Sequence, residues 1–283
     1  MSTRQAVASI TVRSTVRITL LAAFGLLWIA LPFWFLVVNS FKTEGDASVL
    51  SLAWPSTWNV VDNYRTVLED GGYLRGLVNS LWIAIPTLAA VLILGSMAAW
   101  VYARSNARSL KFAYYASILS VLIPPAIIPT IFVLQELGLN GTRSGYMLTL
   151  AGTRMGIVIF LVTGFIRAIP PHIEEAAFID GASRFGVYRY IVLPMVKPAL
   201  FVAAVLLSIN TWNDFFMSLY LLPEPERATL PVALFQFASA TEYTFRWNLV
   251  FAHVILTNIP LLLMYVVFQR RVMSGLTEGA VTG

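Results

Sequence analysis

Six stretches of about twenty residues, nearly free of charge, recur along this 283-residue chain and restrict what it can become. They run over residues 18–39, 77–103, 112–134, 146–166, 198–222 and 248–269. A helix crossing the roughly 30 Å hydrocarbon core of a bilayer needs about 20 mostly apolar residues. Only 12% of the chain is charged and 58% is hydrophobic, and the mean hydropathy is +0.76. A soluble chain carries about 25% charged residues. The expected fold class is all-α: a polytopic membrane protein with six transmembrane helices. Residues 1–17 would form a terminal segment, 18–39 the first span, 40–76 a segment outside the membrane, 77–270 a five-helix core and 271–283 a tail.

The first stretch follows Arg13 and Arg17, as the apolar part of a secretory signal would. At about 22 residues it is too long for one, and no small-x-small cleavage site follows. It reads as an uncleaved anchor. The fourth stretch is interrupted by Arg154.

Basic residues are unequally shared between alternate loops. One side holds Arg4, Arg13, Arg17, Arg104, Arg108, Lys111, Arg167, Arg184, Arg189, Lys197, Arg270 and Arg271. The other holds Lys42, Arg65, Arg75, Arg143, Arg227 and Arg246, with most of the acids. Retained loops accumulate Lys and Arg, so both termini are expected in the cytoplasm of a cell-membrane protein. The net charge of +5 is then a basic cytoplasmic face rather than a nucleic-acid surface. With no cysteine and two histidines, disulfides and cysteine-ligated metals are excluded, and a multi-histidine metal site lacks ligands.

The loop between the fourth and fifth stretches, residues 167–197, is the longest mixed segment of the second half. Pro170 and Pro171 precede a first helical turn, where a missing N–H is harmless. Glu174 and Glu175 suit the positive end of the helix dipole. Ala176 and Ala177 favour helix and present almost no bulk. Gly181 allows a turn with φ > 0, and Ser183 can cap a second short helix. Along that helix Phe185, Tyr188 and Ile191 or Val192 recur at helical spacing, and Pro194 is expected to end it. The product is a helix–turn–helix elbow with a small, flat tip. A solvated connector is the plainer reading, but loops of this length usually carry a function.

Glu175-Ala176-Ala177, Gly181, then Ile191, Leu193 and Pro194 resemble the "EAA" loop of binding-protein-dependent ABC importer permeases. "TWNDFF" at 211–216, "TLPVAL" at 229–234 and the ending "FQRRVMSGLTEGAVTG" are similar to the carbohydrate branch, the second permease subunit of maltose-type importers. The last residues, Val281-Thr282-Gly283, depart from the usual lysine before the final glycine. The resemblance covers essentially the whole chain. It implies a permease core over 77–270 and a coupling loop at 167–197 that docks into a cleft of an ATPase subunit. Glu174, Glu175, Ala176, Ala177, Asp180, Gly181, Ile191, Leu193 and Pro194 would make that coupling surface. It also implies a second permease subunit, two ATPase subunits and an extracytoplasmic solute-binding protein as partners, and a sugar or sugar-like solute. No cofactor is expected in this chain; ATP and Mg would be held by the ATPase.

Further candidates lie in the apolar stretches. A charge at mid-bilayer costs about 2.5–3.5 kcal/mol on the lenient insertion scale, so Arg154 should face a water-filled path or a partner, or sit at the interface. Asn210, Trp212, Asn213 and Asp214 combine amides with an aromatic ring, as sugar sites do, although polar groups also join helices. His253 and Asn258 read as inter-helix partners. Pro124, Pro125 and Pro129 predict a kink in the third stretch. Segment 41–76, with Trp54, Trp58 and Tyr64, would lie on the membrane surface or against a partner.

No Gly-x4-Gly-Lys-Ser/Thr loop occurs, so the chain is not expected to hydrolyse ATP itself. The competing class is a secondary transporter or channel for a small polar solute. It would require intramembrane acids and two inverted halves, yet Asp214 is the one acid and no internal repeat is visible. An enzyme would need a clustered catalytic set, which the sequence lacks.

Overall fold

In the computed structural model, residues 3–240 and 245–280 are described, with side chains for residue 15, 17–240 and 245–266. Helices account for the regular structure among them, with no strand. Within a helix the backbone groups between the ends pair with each other, which is the condition for crossing lipid.

The chain up to Gly71 forms one compact unit with Gln236–Leu256. Its first helix, α1 (Thr3–Ser40), exposes the apolar residues from Ile18 to Phe33, and among its described side chains Val38, Asn39 and Ser40 at its end are the buried ones. Two short helices follow, α2 (Glu44–Ser48) and α3 (Val60–Glu69). Their packing is polar. Lys42 is 2% exposed, and its Nζ donates to Asn39 Oδ1 at 3.0 Å and to the Ser51 carbonyl and hydroxyl at 2.9 Å each. Asn63 donates to the carbonyls of Ser40 (2.9 Å) and Lys42 (2.8 Å) and accepts from Asn248 at 2.8 Å. His253 meets the carbonyl of Gly71, just past the end of α3, at 3.2 Å. Segment 41–71 is thus a folded element with a filled polar centre. Trp54 and Trp58 remain exposed on its surface.

Gly72–Phe235 and the chain from Thr257 on form the second unit. Its long helices are α4 (Tyr73–Arg104) and α7 (Arg143–Ala168), with α5 (Arg108–Leu122) and α6 (Ile127–Glu136) between them. Val91, Ala99, Val158, Val162, Ile166, Ala199, Ala203 and Leu207 make the core. Gly156 permits the closest approach: a Cβ there would collide with the Ser117 carbonyl of α5. The last helix, α14 (Trp247–Ala280), continues well past the expected span end at 269.

Among the described residues, four helices are long and apolar enough to cross a membrane: Arg17–Ser40, Tyr73–Arg104, Arg143–Ala168 and Trp247–Val266. A fifth results if Arg184–Met195 and Lys197–Trp212, joined at a 74° bend, are one span. Two of the six predicted stretches are therefore not continuous helices. The third divides into α5 and α6, 15 and 10 residues long. At about 1.5 Å per residue neither reaches 30 Å alone. Pro124 and Pro125 cause the break, because proline lacks an N–H and drives the preceding residue out of the helical region. Ile123 accordingly has φ −90° and ψ 119°. The fifth stretch divides into α11 (Lys197–Trp212) and α12 (Phe216–Leu221). No proline breaks it. Asp214 lies in the break, and its carboxylate accepts from the Met217 N–H in the first turn of α12 at 3.1 Å, a local side-chain bond that competes with helix continuation.

Candidate functional site

The elbow between α7 and α11 starts where Ile169 leaves the helical region, with ψ 124°. Pro171 then accepts from the N–H groups of Glu174 (3.0 Å) and Glu175 (3.1 Å), opening α8 (His172–Ile179). At the other end Gly181 turns with φ +85°. Its N–H reaches the Phe178 carbonyl at 3.1 Å, and Ala182 N–H reaches Ala177 at 2.9 Å. These bonds close the orphan carbonyls of α8, as a left-handed terminal residue allows. Ser183 accepts from Gly186 N–H at 3.1 Å and caps α9 (Arg184–Val187).

After α9 the helix widens into a π-turn over Tyr188–Val192, where Leu193 N–H bonds Tyr188, then resumes as α10 (Leu193–Met195). Pro194 therefore does not end the helix as predicted. The wider turn carries the chain past the missing N–H, and the interruption falls at Val196. Tyr188 and Val192 are buried and Ile191 is partly buried, so they anchor this arm, whereas Phe185 is exposed.

The faces of α8 differ sharply. Glu175, Ala176, Phe178, Asp180 and Gly181 are exposed, Ile179 is 86% exposed, and Ala177 is partly covered. An apolar tip of this kind fits a partner surface. Glu174 points the other way and is 5% exposed. Its Oε1 accepts from Arg104 Nε at 2.9 Å and Nη2 at 2.8 Å, and its Oε2 from Trp100 Nε1 at 2.8 Å. The sequence places Glu174 with the outward coupling residues. The structure turns it inward, because only there is the desolvated carboxylate met by a guanidinium and an indole.

The second polar constellation lies within the helices. Arg154, near the middle of α7, donates Nη2 to Asp214 Oδ2, and the side chains are 14% and 8% exposed. The charge that the sequence flagged is thus met by a partner chosen from the same flagged set. Trp212 is buried, with its indole N–H on the Thr257 carbonyl at 3.1 Å, so its ring is not open for stacking. Asn210 and Asn213 are exposed, each amide donating to its own helix at 2.9 Å and leaving the rest of the side chain open. Next to the break, Ser218 and Thr229 share a 2.7 Å hydroxyl contact, and Leu230 N–H donates to Ser80 at 2.8 Å. The "TWNDFF" and "TLPVAL" segments are thereby tied together through α12. Among the described residues no cluster of His, Cys, Asp and Glu could hold a metal ion.

Sequence reading missed Ser96, Trp100 and Arg104. Arg104 entered only as a basic loop residue. The available signal was Glu174 itself, an acid in a basic loop with no local partner.

These elements define a class: a helical, multi-pass membrane transport subunit with an exposed elbow between its helices. The fold is that of a crystal structure of a bacterial ABC transporter involved in importing the acidic polysaccharide alginate. The likeness covers 93% of this chain and 97% of the other, with a TM-score of 0.78 at 21% identity. The chain belongs to the family of binding-protein-dependent transport system inner membrane components, whose pattern matches residues 78–274. Among curated relatives, the probable starch degradation products transport system permease protein AmyC of Thermoanaerobacterium thermosulfurigenes is 32% identical, covering 90% of this chain and 92% of its own. The diacetylchitobiose uptake system permease protein NgcG of Streptomyces coelicolor is 29% identical, over 90% and 85%. The trehalose transport system permease protein SugB of Mycobacterium tuberculosis is 31% identical, over 78% and 82%. The chain is a permease of an ABC importer, a multi-pass protein of the inner membrane that works with a solute-binding protein.

Proposed function

We propose that this permease forms half of the translocation path for a sugar or sugar-like solute and is driven by a separate ATPase docked on the 167–197 elbow. The observation that carries the coupling role is the outward face of α8, where Glu175, Ala176 and Ile179 stand beside Gly181 at φ +85°. Small residues there permit close backbone approach, and Glu175 is available to a basic partner. Asp180 lies on the same exposed rim, and the partly buried Ile191 and Leu193 hold the arm in place. The solute class rests on the relatives named for chitobiose, starch products and trehalose. In the path we place Asn210 and Asn213, with the Arg154–Asp214 pair behind them.

The assembly comprises a second permease subunit, two ATPase subunits that bind ATP and Mg, and the solute-binding protein. Both termini face the cytoplasm. Accordingly Asn106→Cys should be labelled only after permeabilisation and Ser56→Cys in intact cells, and the reverse pattern would overturn the orientation. Gly181→Asp tests the coupling role. It should leave the subunit in the membrane while uptake and ATPase co-purification fail. Wild-type uptake at wild-type expression would sink the assignment.

A further inference from the structure

The elbow could have been joined to the long helices through its covalent ends alone. It is not. Ser96, Trp100 and Arg104 stand four residues apart on α4, so they share one face. Together they hold the elbow at Tyr188, at Glu174 and at the end of α7. Ser96 Oγ and Tyr188 Oη lie 2.7 Å apart, at the start of the π-turn. Trp100 donates to Glu174 at 2.8 Å in the first turn of α8, and its ring lies 5.9 Å from that of Tyr188. Arg104 holds the other oxygen of Glu174 and donates as well to the Ile169 carbonyl at 2.9 Å, where α7 ends.

We infer that this stripe of α4 is the joint that carries motion of the elbow into the membrane-crossing helices, with Glu174, Arg104 and Trp100 as positioning residues. The inference rests on the reading of α8 as the docking helix. Both carboxylate oxygens of Glu174 are occupied, and its side chain is 6% exposed. Charge-assisted bonds in such surroundings are short, strong and directional. Without them α8 could pivot about Ile169–Pro171 when pushed, and the push would be absorbed there. With them α8 cannot turn unless α4 follows. The load then enters the core, because Gly95 lies one residue from Ser96 and packs so close to Val158 that a Cβ would meet it at 2.9 Å. Neighbouring residues therefore divide two tasks: Glu175 faces outward to the partner and Glu174 inward to α4.

The test uses the assembled transporter with its ATPase and solute-binding protein in liposomes. Glu174→Gln preserves shape and removes charge; Arg104→Gln does the same from the other side. Each should lower uptake, and the ratio of binding-protein-stimulated to basal ATP hydrolysis, by about tenfold or more, the size expected for a charge-assisted bond. The ATPase should still co-purify. Because both variants break one joint, the double variant should be no worse than either single one. Trp100→Phe keeps an aromatic ring and loses the indole N–H, so it should reduce the same ratio about threefold, and it carries the test if the charge variants do not reach the membrane. A wild-type ratio in Glu174→Gln or in Trp100→Phe overturns the joint. So does loss of the ATPase in Glu174→Gln, which would make Glu174 a docking residue. Failure of the docking reading shows separately, as full ATPase retention and uptake in Gly181→Asp.

Discussion

The elbow and the break between α11 and α12 each interrupt a helical path and each hold one arginine–carboxylate pair, but the pairs are finished differently. At the elbow, Glu174 has both oxygens filled, and Arg104 also donates to a backbone carbonyl. At the break, Asp214 divides its oxygens between Arg154 and the Met217 N–H, and among the described residues Arg154 Nε is buried with no hydrogen-bond partner. A saturated pair stiffens what it joins; an incompletely satisfied one sits closer to rearrangement. On the proposed reading, the elbow transmits, and the break is where the path inside the helices changes.

The largest effect should come from the turn that shapes the elbow. Gly181→Val forces a β-branched residue into φ +85°, although the space around it is open. Uptake should fall about 100-fold or more, through a misplaced α8 rather than a clash. Gly181→Asn, which tolerates that region, should retain more activity than the valine variant. Equal losses would mean that the surface of Gly181, not its turn, is what matters.

Next in size is the break. Arg154→Ala leaves Asp214 buried without its cation and should destabilise the subunit by about 3–5 kcal/mol. Arg154→Met combined with Asp214→Leu should unfold later than either single variant, since no lone charge is left. Thermal unfolding of the purified complex compares them. If Arg154→Ala is as stable as wild type, the pair is water-filled and the contrast with the elbow fails.

Glu175→Lys should weaken ATPase retention by about tenfold or less, as expected for a rim charge, and the loss should shrink as salt rises. Salt-independent loss would place Glu175 in a desolvated contact. The smallest effect concerns Asn210→Ala with Asn213→Ala. Each removes one exposed amide, so uptake should show a KM raised a few-fold with maximal rate nearly kept, as loss of uniform binding predicts. An unchanged KM would remove the pair from the path.

Much of this was legible in the residues. Hydropathy located the long helices because the bilayer sets their length independently of neighbours. The turn at Gly181, the cap at Ser183 and the interruption at Pro124–Pro125 follow from local backbone chemistry, which a few residues decide on their own. Arg154 was flagged by the cost of its charge, before any partner was known.

Tertiary structure decided the rest. Glu174 and Glu175 are adjacent and chemically identical, yet one is buried and the other exposed, since only the approach of Trp100 and Arg104 tells them apart. Trp212 could have stacked on a solute until its N–H found the Thr257 carbonyl. Arg154 and Asp214 lie 60 residues apart, and Arg104 and Glu174 lie 70 apart. Sequence reports which polar groups cannot remain unpaired in an apolar chain; which partner each takes depends on how the helices pack, because desolvation makes pairing obligatory without naming the mate.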